Sequence, residues 1–279
     1  FLGHESEIPN SGDFVTRDMG SDSVLVTRDK SGEVHVLLNL CTHRGMRVST
    51  LDAGNTQIHT CIYHGWAFRP NGAFLGAPVE KETMHGKMMS KEELGLKKAR
   101  VTLYGGLIFA TWNIDGPSFE EFLGDAKWYY DILFKRTDKG MEVLGPPQRF
   151  TVRANWKAAG EQSAADGYHT LTLHRWLGEV GNYSKKGEGE GSGGDLSPEM
   201  YGVEVSSPHG HALRCIDLGR KIRRMTGLDP DVLSVDEKLN ALPPAGMTKE
   251  MVEQLKRNLT PEQLHVQTSM PPQVGGIFL

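Results

Sequence analysis

Short apolar runs punctuated by turn residues fill the first 112 or so positions of the chain. Val24-Leu25-Val26-Thr27 precedes the turn cluster Asp29-Lys30-Ser31-Gly32, and Val34 to Leu40 follows it, a pattern that predicts a β-hairpin. Ile58 to Ile62 and Ala67-Phe68 read as further strands, with Pro70-Asn71-Gly72 as the next turn. Val101 to Trp112 supplies one or two more, and its break at Gly105-Gly106 leaves it far short of a membrane span. The first part of the chain should therefore be a small all-β domain.

The pattern changes near Gly116-Pro117. Ser118-Phe-Glu-Glu121 is a capping box, and Phe119, Phe122, Leu123, Trp128, Tyr129, Ile132 and Leu133 follow with helical spacing, a stripe read as core. Gln148 to Val152 predicts a strand leading to a helix from about Ala158. The glycine-rich stretch from Ser184 to Asp195 predicts a flexible loop. Thr248 and Thr260 should open two more helices, the second with proline at its first position and Gln263 completing a capping box. No internal repeat is visible. The expected fold class is α+β, with an all-β domain over 1–114 and a mixed α+β domain, truncated, over 115–279.

Composition narrows the function classes. Of 279 residues, 38% are hydrophobic and 24% charged, as in a soluble globular protein. The net charge of −4 gives no electrostatic case for nucleic acid or an anionic membrane. Three cysteines offer no disulfide framework and suit a reducing cytoplasm. The chain begins at Phe1 and ends on an apolar stretch, so a fragment is expected.

Against that background one spacing stands out. Cys41-Thr-His43 is followed, after a gap of seventeen residues, by Cys61-Ile-Tyr-His64. Each pair puts one thiolate and one imidazole on a short loop, and both loops are expected at the tips of adjacent hairpins. A Rieske-type [2Fe–2S] cluster needs this set, sulfur on one iron and nitrogen on the other. Structural zinc also accepts two cysteines and two histidines, but zinc fingers usually pair cysteine with cysteine and histidine with histidine. Gly45 and Gly65 fit tight turns that let backbone N–H groups approach the sulfurs. Arg44 and Arg47 add positive charge beside the loop. Cys215, far along the chain, reads as a buried small residue.

Further on, Asn155-Trp-Lys157, Glu161-Gln162 and Asp166-Gly-Tyr-His169-Thr-Leu-Thr-Leu-His174 hold a second group of candidates. Two histidines and a carboxylate form the facial triad of non-haem Fe(II). His169 and His174 would lie about 140° apart round a regular helix, so sharing one iron requires the helix to end or bulge between them.

Together these motifs resemble the large (α) subunit of Rieske non-haem iron aromatic-ring-hydroxylating dioxygenases. The resemblance spans both parts of the chain. It implies that Cys41 and Cys61 bind one cluster iron, His43 and His64 the other, and His169 and His174 a mononuclear non-haem Fe(II). It gives Asp166 the role of a hydrogen-bonding bridge between centres of neighbouring subunits. The third ligand should be an Asp beyond Leu279, since Asp195, Asp217, Asp229, Asp231 and Asp236 look like turn or cap residues. The respiratory class adds a cysteine to each cluster loop, whereas Met46 and Tyr63 stand here, so the low-potential oxygenase class fits better.

Gly3-His-Glu-Ser-Glu-Ile-Pro9, Leu75-Gly-Ala-Pro-Val-Glu80 and Gly160-Glu-Gln-Ser-Ala-Ala-Asp166 narrow the likeness to actinobacterial dioxygenases of the naphthalene, phenanthrene and pyrene type. Gln162 and Ser163 replace an Asn and a bulky aromatic, which would leave room for a larger fused ring. The implied reaction is cis-dihydroxylation of an aromatic, polycyclic hydrocarbon by O₂. Electrons would come from NADH through a reductase and a ferredoxin, and three α subunits would assemble with a small β subunit. A Rieske monooxygenase or demethylase, and an electron-transfer Rieske protein, are the competing readings.

Overall fold

The computed structural model describes residues 1–82, 86, 89–145, 151–155, 157–158, 172–173, 176, 203–207, 210–215, 218–241, 244 and 246–266. These residues mix antiparallel sheets with helices. The chain divides into two compact units, 1–117 with 141–148, and 118–140 with 149–279.

The first unit is built on a four-stranded antiparallel sheet in the order β4-β3-β2-β5, from β2 (Asp13–Met19), β3 (Asp22–Arg28), β4 (Val34–Leu38) and β5 (Ala53–Asn55). Both of its faces are buried, which explains the continuous Val24-Leu25-Val26 run. Successive side chains point to opposite faces, so β3 and β4 feed two cores. Val24, Val26, Val34 and Val36 join Leu2, Ile8 and Ile108 in one core. Leu25 and Leu37 join Phe14, Phe68, Phe74, Leu94 and Leu96 in the other, which also holds Cys41, Cys61 and Trp66.

A three-stranded sheet covers the first core: β1 (Gly3–His4), β10 (Leu107–Thr111) and β9 (Arg100–Tyr104), in that order. The second core lies against β6 (His59–Thr60), β7 (Ala67–Phe68) and β8 (Phe74–Gly76). The β3–β4 turn is held by Asp29. One carboxylate oxygen accepts from Ser31 N–H and Oγ and from Glu33 N–H, and the other faces His35 Nε2 at 2.8 Å.

In the second unit the stripe after Ser118 forms two helices rather than one, α1 (Phe119–Leu123) and α2 (Ala126–Phe134), because Gly124 ends the first turn run. Ser118 and Glu121 close the expected capping box. Leu123, Ile132 and Leu133 are buried, whereas Phe119, Phe122, Trp128 and Tyr129 are half-buried. A two-stranded ladder joins β11 (Val203–Ser206) to β12 (Ala212–Cys215). Helices α3 (Leu218–Thr226), α4 (Val235–Ala241), α5 (Lys249–Asn258) and α6 (Pro261–Leu264) share a small core of Leu218, Ile222, Leu239, Leu255, Leu259 and Leu264. Thr248 and Thr260 cap α5 and α6, the latter with the Gln263 box.

Thr151 and Val152 carry no strand, contrary to expectation, and the rest of 146–150 lies outside the described residues, as does the 184–195 stretch. No helix among the described residues is long and apolar enough to cross a membrane.

Candidate metal centre

Two six-residue loops carry the four sequence-predicted cluster ligands. Cys41 follows β4, and Cys61 follows β6 in a different sheet. Each loop is the same turn. Cys41 N–H donates to Met46 O at 2.8 Å and accepts at its carbonyl from Gly45 N–H at 2.8 Å. Cys61 repeats this with Trp66 O at 2.8 Å and Gly65 N–H at 2.9 Å. Gly45 and Gly65 both take positive φ, 72° and 68°, where a Cβ would crowd the backbone. Gly65 has a second constraint, because an added Cβ would meet Pro78 Cγ at 2.7 Å.

The turns put both thiols into one core, Cys41 at 3% exposure and Cys61 at 2%. Neither forms a disulfide. Burial pushes the Cys41 thiol up, and the adjacent Cys61 thiol adds to that. Backbone N–H groups of His43 and Arg44 pull the other way. A buried thiolate pair is costly unless a cation or cluster takes up its charge. Inward N–H donors are the arrangement that stabilises metal-bound sulfur.

The imidazoles lie on the outer side of the same site, each half-buried. His43 and His64 meet edge to face with ring centroids 4.7 Å apart. Trp66 stacks on His43 at 4.7 Å with only 5° between ring planes, and is backed by Phe74 at 4.8 Å. Tyr63 lies against His64 at 3.8 Å. Thr42 Oγ1 donates to Leu94 O at 2.7 Å and ties the first loop to the turn at 91–94. Two soft sulfur donors inside and two nitrogen donors outside fit a [2Fe–2S] cluster with mixed ligation. Arg44 and Arg47 are exposed at the rim.

One expectation needs correction. Cys61 sits in a true hairpin, since His59 pairs with Phe68 and Thr60 with Ala67. Among the described residues the first loop has one β-bridge beneath it, Leu40–Arg47, and no ladder, because β5 pairs with β2 and not with β4. Asn39, unremarked in the sequence, takes over beneath that bridge. The signal was a polar residue ending an apolar strand two positions before a ligand.

Asp166, His169, His174, Gln162 and Ser163 lie outside the described residues, so the second metal site is not given a geometry. Of the flanking motif, Asn155 Oδ1 accepts from Lys157 N–H at 3.0 Å. Asp229 N-caps a short 3₁₀ turn at 230–232, and Asp231 and Asp236 form surface ion pairs with Arg223 and Lys256.

Residues 1–97 match the family model described as the Rieske [2Fe-2S] domain, and this unit is a Rieske iron–sulfur domain. The wider chain is 45% identical over 180 residues to the N,N-dimethyl phenylurea N-demethylase subunit alpha of Sphingobium sp. (strain YBL2), covering 64% of this chain and 39% of that one. It is 45% identical over 177 residues to the biphenyl 2,3-dioxygenase subunit alpha of Rhodococcus jostii (strain RHA1), covering 63% and 38%. Its fold matches the crystal structure of naphthalene 1,2-dioxygenase from Rhodococcus sp. bound to indole, with a TM-score of 0.78 and 35% identity over 96% of this chain and 55% of that one. By sequence and fold, the chain is similar to the large (α) subunits of Rieske ring-hydroxylating dioxygenases. It spans about half the length of the relatives it matches.

Proposed function

We propose that this chain is the electron-accepting part of a terminal oxygenase that cis-dihydroxylates an aromatic hydrocarbon, a polycyclic one in the finer reading. The observation that carries it is the buried Cys41–Cys61 pair, with N–H donors aimed at Cys41 and two imidazoles beside it. In this reading Cys41 and Cys61 hold one iron and His43 and His64 the other. When bound, such a cluster supplies one-electron transfer. The chain's own residues set its surroundings. The core around the thiols excludes water, Trp66 fixes the plane of His43, and Arg44 and Arg47 offset negative charge at the rim.

The same reading gives His169 and His174 to a mononuclear iron, Asp166 to a hydrogen-bonded link between centres, and Gln162 and Ser163 to the substrate pocket. It assigns a cytoplasmic location, ferredoxin and NADH-dependent reductase partners, and an α₃β₃ assembly. The domain division at about residue 114 belongs to it too.

Support for a ring-hydroxylating role comes from the biphenyl and naphthalene dioxygenase likenesses. The N-demethylase relative, equally identical, favours a second reading in which a single oxygen is inserted and an N-methyl group leaves. Turnover under labelled O₂ separates them. A cis-dihydrodiol carrying two labelled oxygens is expected; formaldehyde with one labelled oxygen in water would select demethylation. Asp166→Ala should keep both metals by iron analysis and lose turnover, and normal turnover would remove its linking role.

A further inference from the structure

Beneath the Cys61 loop, backbone pairs backbone. At the equivalent depth beneath the Cys41 loop the ladder stops after Leu40–Arg47, yet the returning limb at Val48 and Ser49 is held as firmly. A side chain does it. Asn39 Oδ1 accepts from Val48 N–H at 3.1 Å and Ser49 N–H at 2.9 Å. Its Nδ2 donates to Ser49 O at 2.8 Å and Ser23 Oγ at 3.2 Å. A primary amide has two acceptor sites and two donors, so every one is used. The residue is 0% exposed, and its own N–H donates to Ser23 O at 2.9 Å.

We propose that Asn39 is a positioning residue for the metal centre. Its amide stands in for the missing rung of the ladder and fixes the arm bearing Cys41 and His43 against β3. This rests on the cluster reading above. Direction as well as burial marks the role. Asn39 spends both acceptor sites and one donor on the returning limb of the ligand loop, and its last donor fastens that limb to β3. A buried amide of this kind is worth keeping only where its partners need a fixed register, since each unpaired group would cost about 1–3 kcal/mol. Asn39→Asp has nearly the same shape, but it turns an oxygen toward Ser49 O where a donor stood.

The test uses the intact, cluster-loaded protein. Asn39→Asp and Ser23→Ala are compared with Thr27→Val, which removes a hydroxyl equally buried in β3 that bonds Pro70 O away from the loops. The readouts are the EPR g-values of the reduced protein, its midpoint potential, and the half-life of visible absorbance in excess iron chelator.

Asn39→Asp should shift the g-values and potential and shorten the half-life by about tenfold or more, the usual scale for a lost outer-sphere contact. Ser23→Ala should act in the same direction and less. Thr27→Val should lower thermal stability only. If Asn39→Asp and Ser23→Ala behave like Thr27→Val, with spectrum, potential and half-life unchanged, the positioning role is wrong. Where Asn39→Asp yields no folded protein, Ser23→Ala decides. A wild-type protein with zinc and no iron–sulfur spectrum would instead overturn the cluster reading, and this inference with it.

Discussion

The two arms of the metal centre reach one backbone turn by different routes. Around Cys61 the strands β6 and β7 form a regular ladder, and Phe68 anchors it at 0% exposure. Around Cys41 a single bridge and the Asn39 amide do the same work. The position matching Asn39 is His59, buried and held as a neutral ring because burial lowers it to about 4. A turn geometry demanded by the ligands can thus be met by main chain or by side chain. The side-chain solution concentrates the constraint in one residue.

The largest test treats the arms as equals. Cys41→Ser and Cys61→Ser should each abolish the visible chromophore and bound iron, measured on purified protein. Retention in either variant would show that only one arm carries a ligand.

Next, Phe68→Ala removes the anchor under the second arm and should destabilise the unit by about 3–5 kcal/mol in denaturant unfolding. A much smaller cost would mean that the ladder does not depend on its core side chain.

Glycine replacements sharpen the contrast further. Gly45→Ala meets open space and should cost about 1–2 kcal/mol for its positive φ alone. Gly65→Ala carries that cost and a clash with Pro78 as well, so it should exceed the first by roughly 1 kcal/mol or more. Equal midpoints for the two variants would argue that Pro78 yields freely.

The smallest effect lies at the other end of β3, and should leave both arms alone. Burial works against the charged form of Asp29, yet hydrogen bonds from Ser31, His35 and Glu33 hold its carboxyl at about 2, below its ordinary value of 3.8. A depressed carboxylate stabilises the fold fully above its unfolded value. The gain is lost as pH falls from about 3.8 towards 2. After discounting for solvent near this turn, about 1–2 kcal/mol should disappear over that window, and Asp29→Asn should flatten it. An unchanged acid slope in Asp29→Asn would place the titration elsewhere.

Much of this was legible from residue order. Mixed Cys–His pairs, each followed by a glycine, can be seen without coordinates because ligand chemistry restricts both residue type and spacing. The capping boxes at Ser118 and Thr260 were equally plain, since their hydrogen bonds are local. The Asn39 clamp was not. Its partners lie 9, 10 and 16 positions away, and an asparagine ending a strand reads as an ordinary turn residue. The split of the aromatic stripe at Gly124 was also hidden, because α1 and α2 continue nearly the same apolar spacing. For His169, His174 and Asp166 the sequence remains the whole of the argument.

The placement of Cys41 and Cys61 in one core, on loops from separate sheets, bears on biogenesis. A nascent chain with only the four-stranded sheet in place offers half a ligand set. Under the ligand assignment proposed above, iron–sulfur delivery is then an inspection step that only a chain with both sheets folded passes. Bound metal in turn adds its binding free energy to the stability of that folded state. A maturation defect would therefore appear as a colourless protein that is less stable than the loaded one.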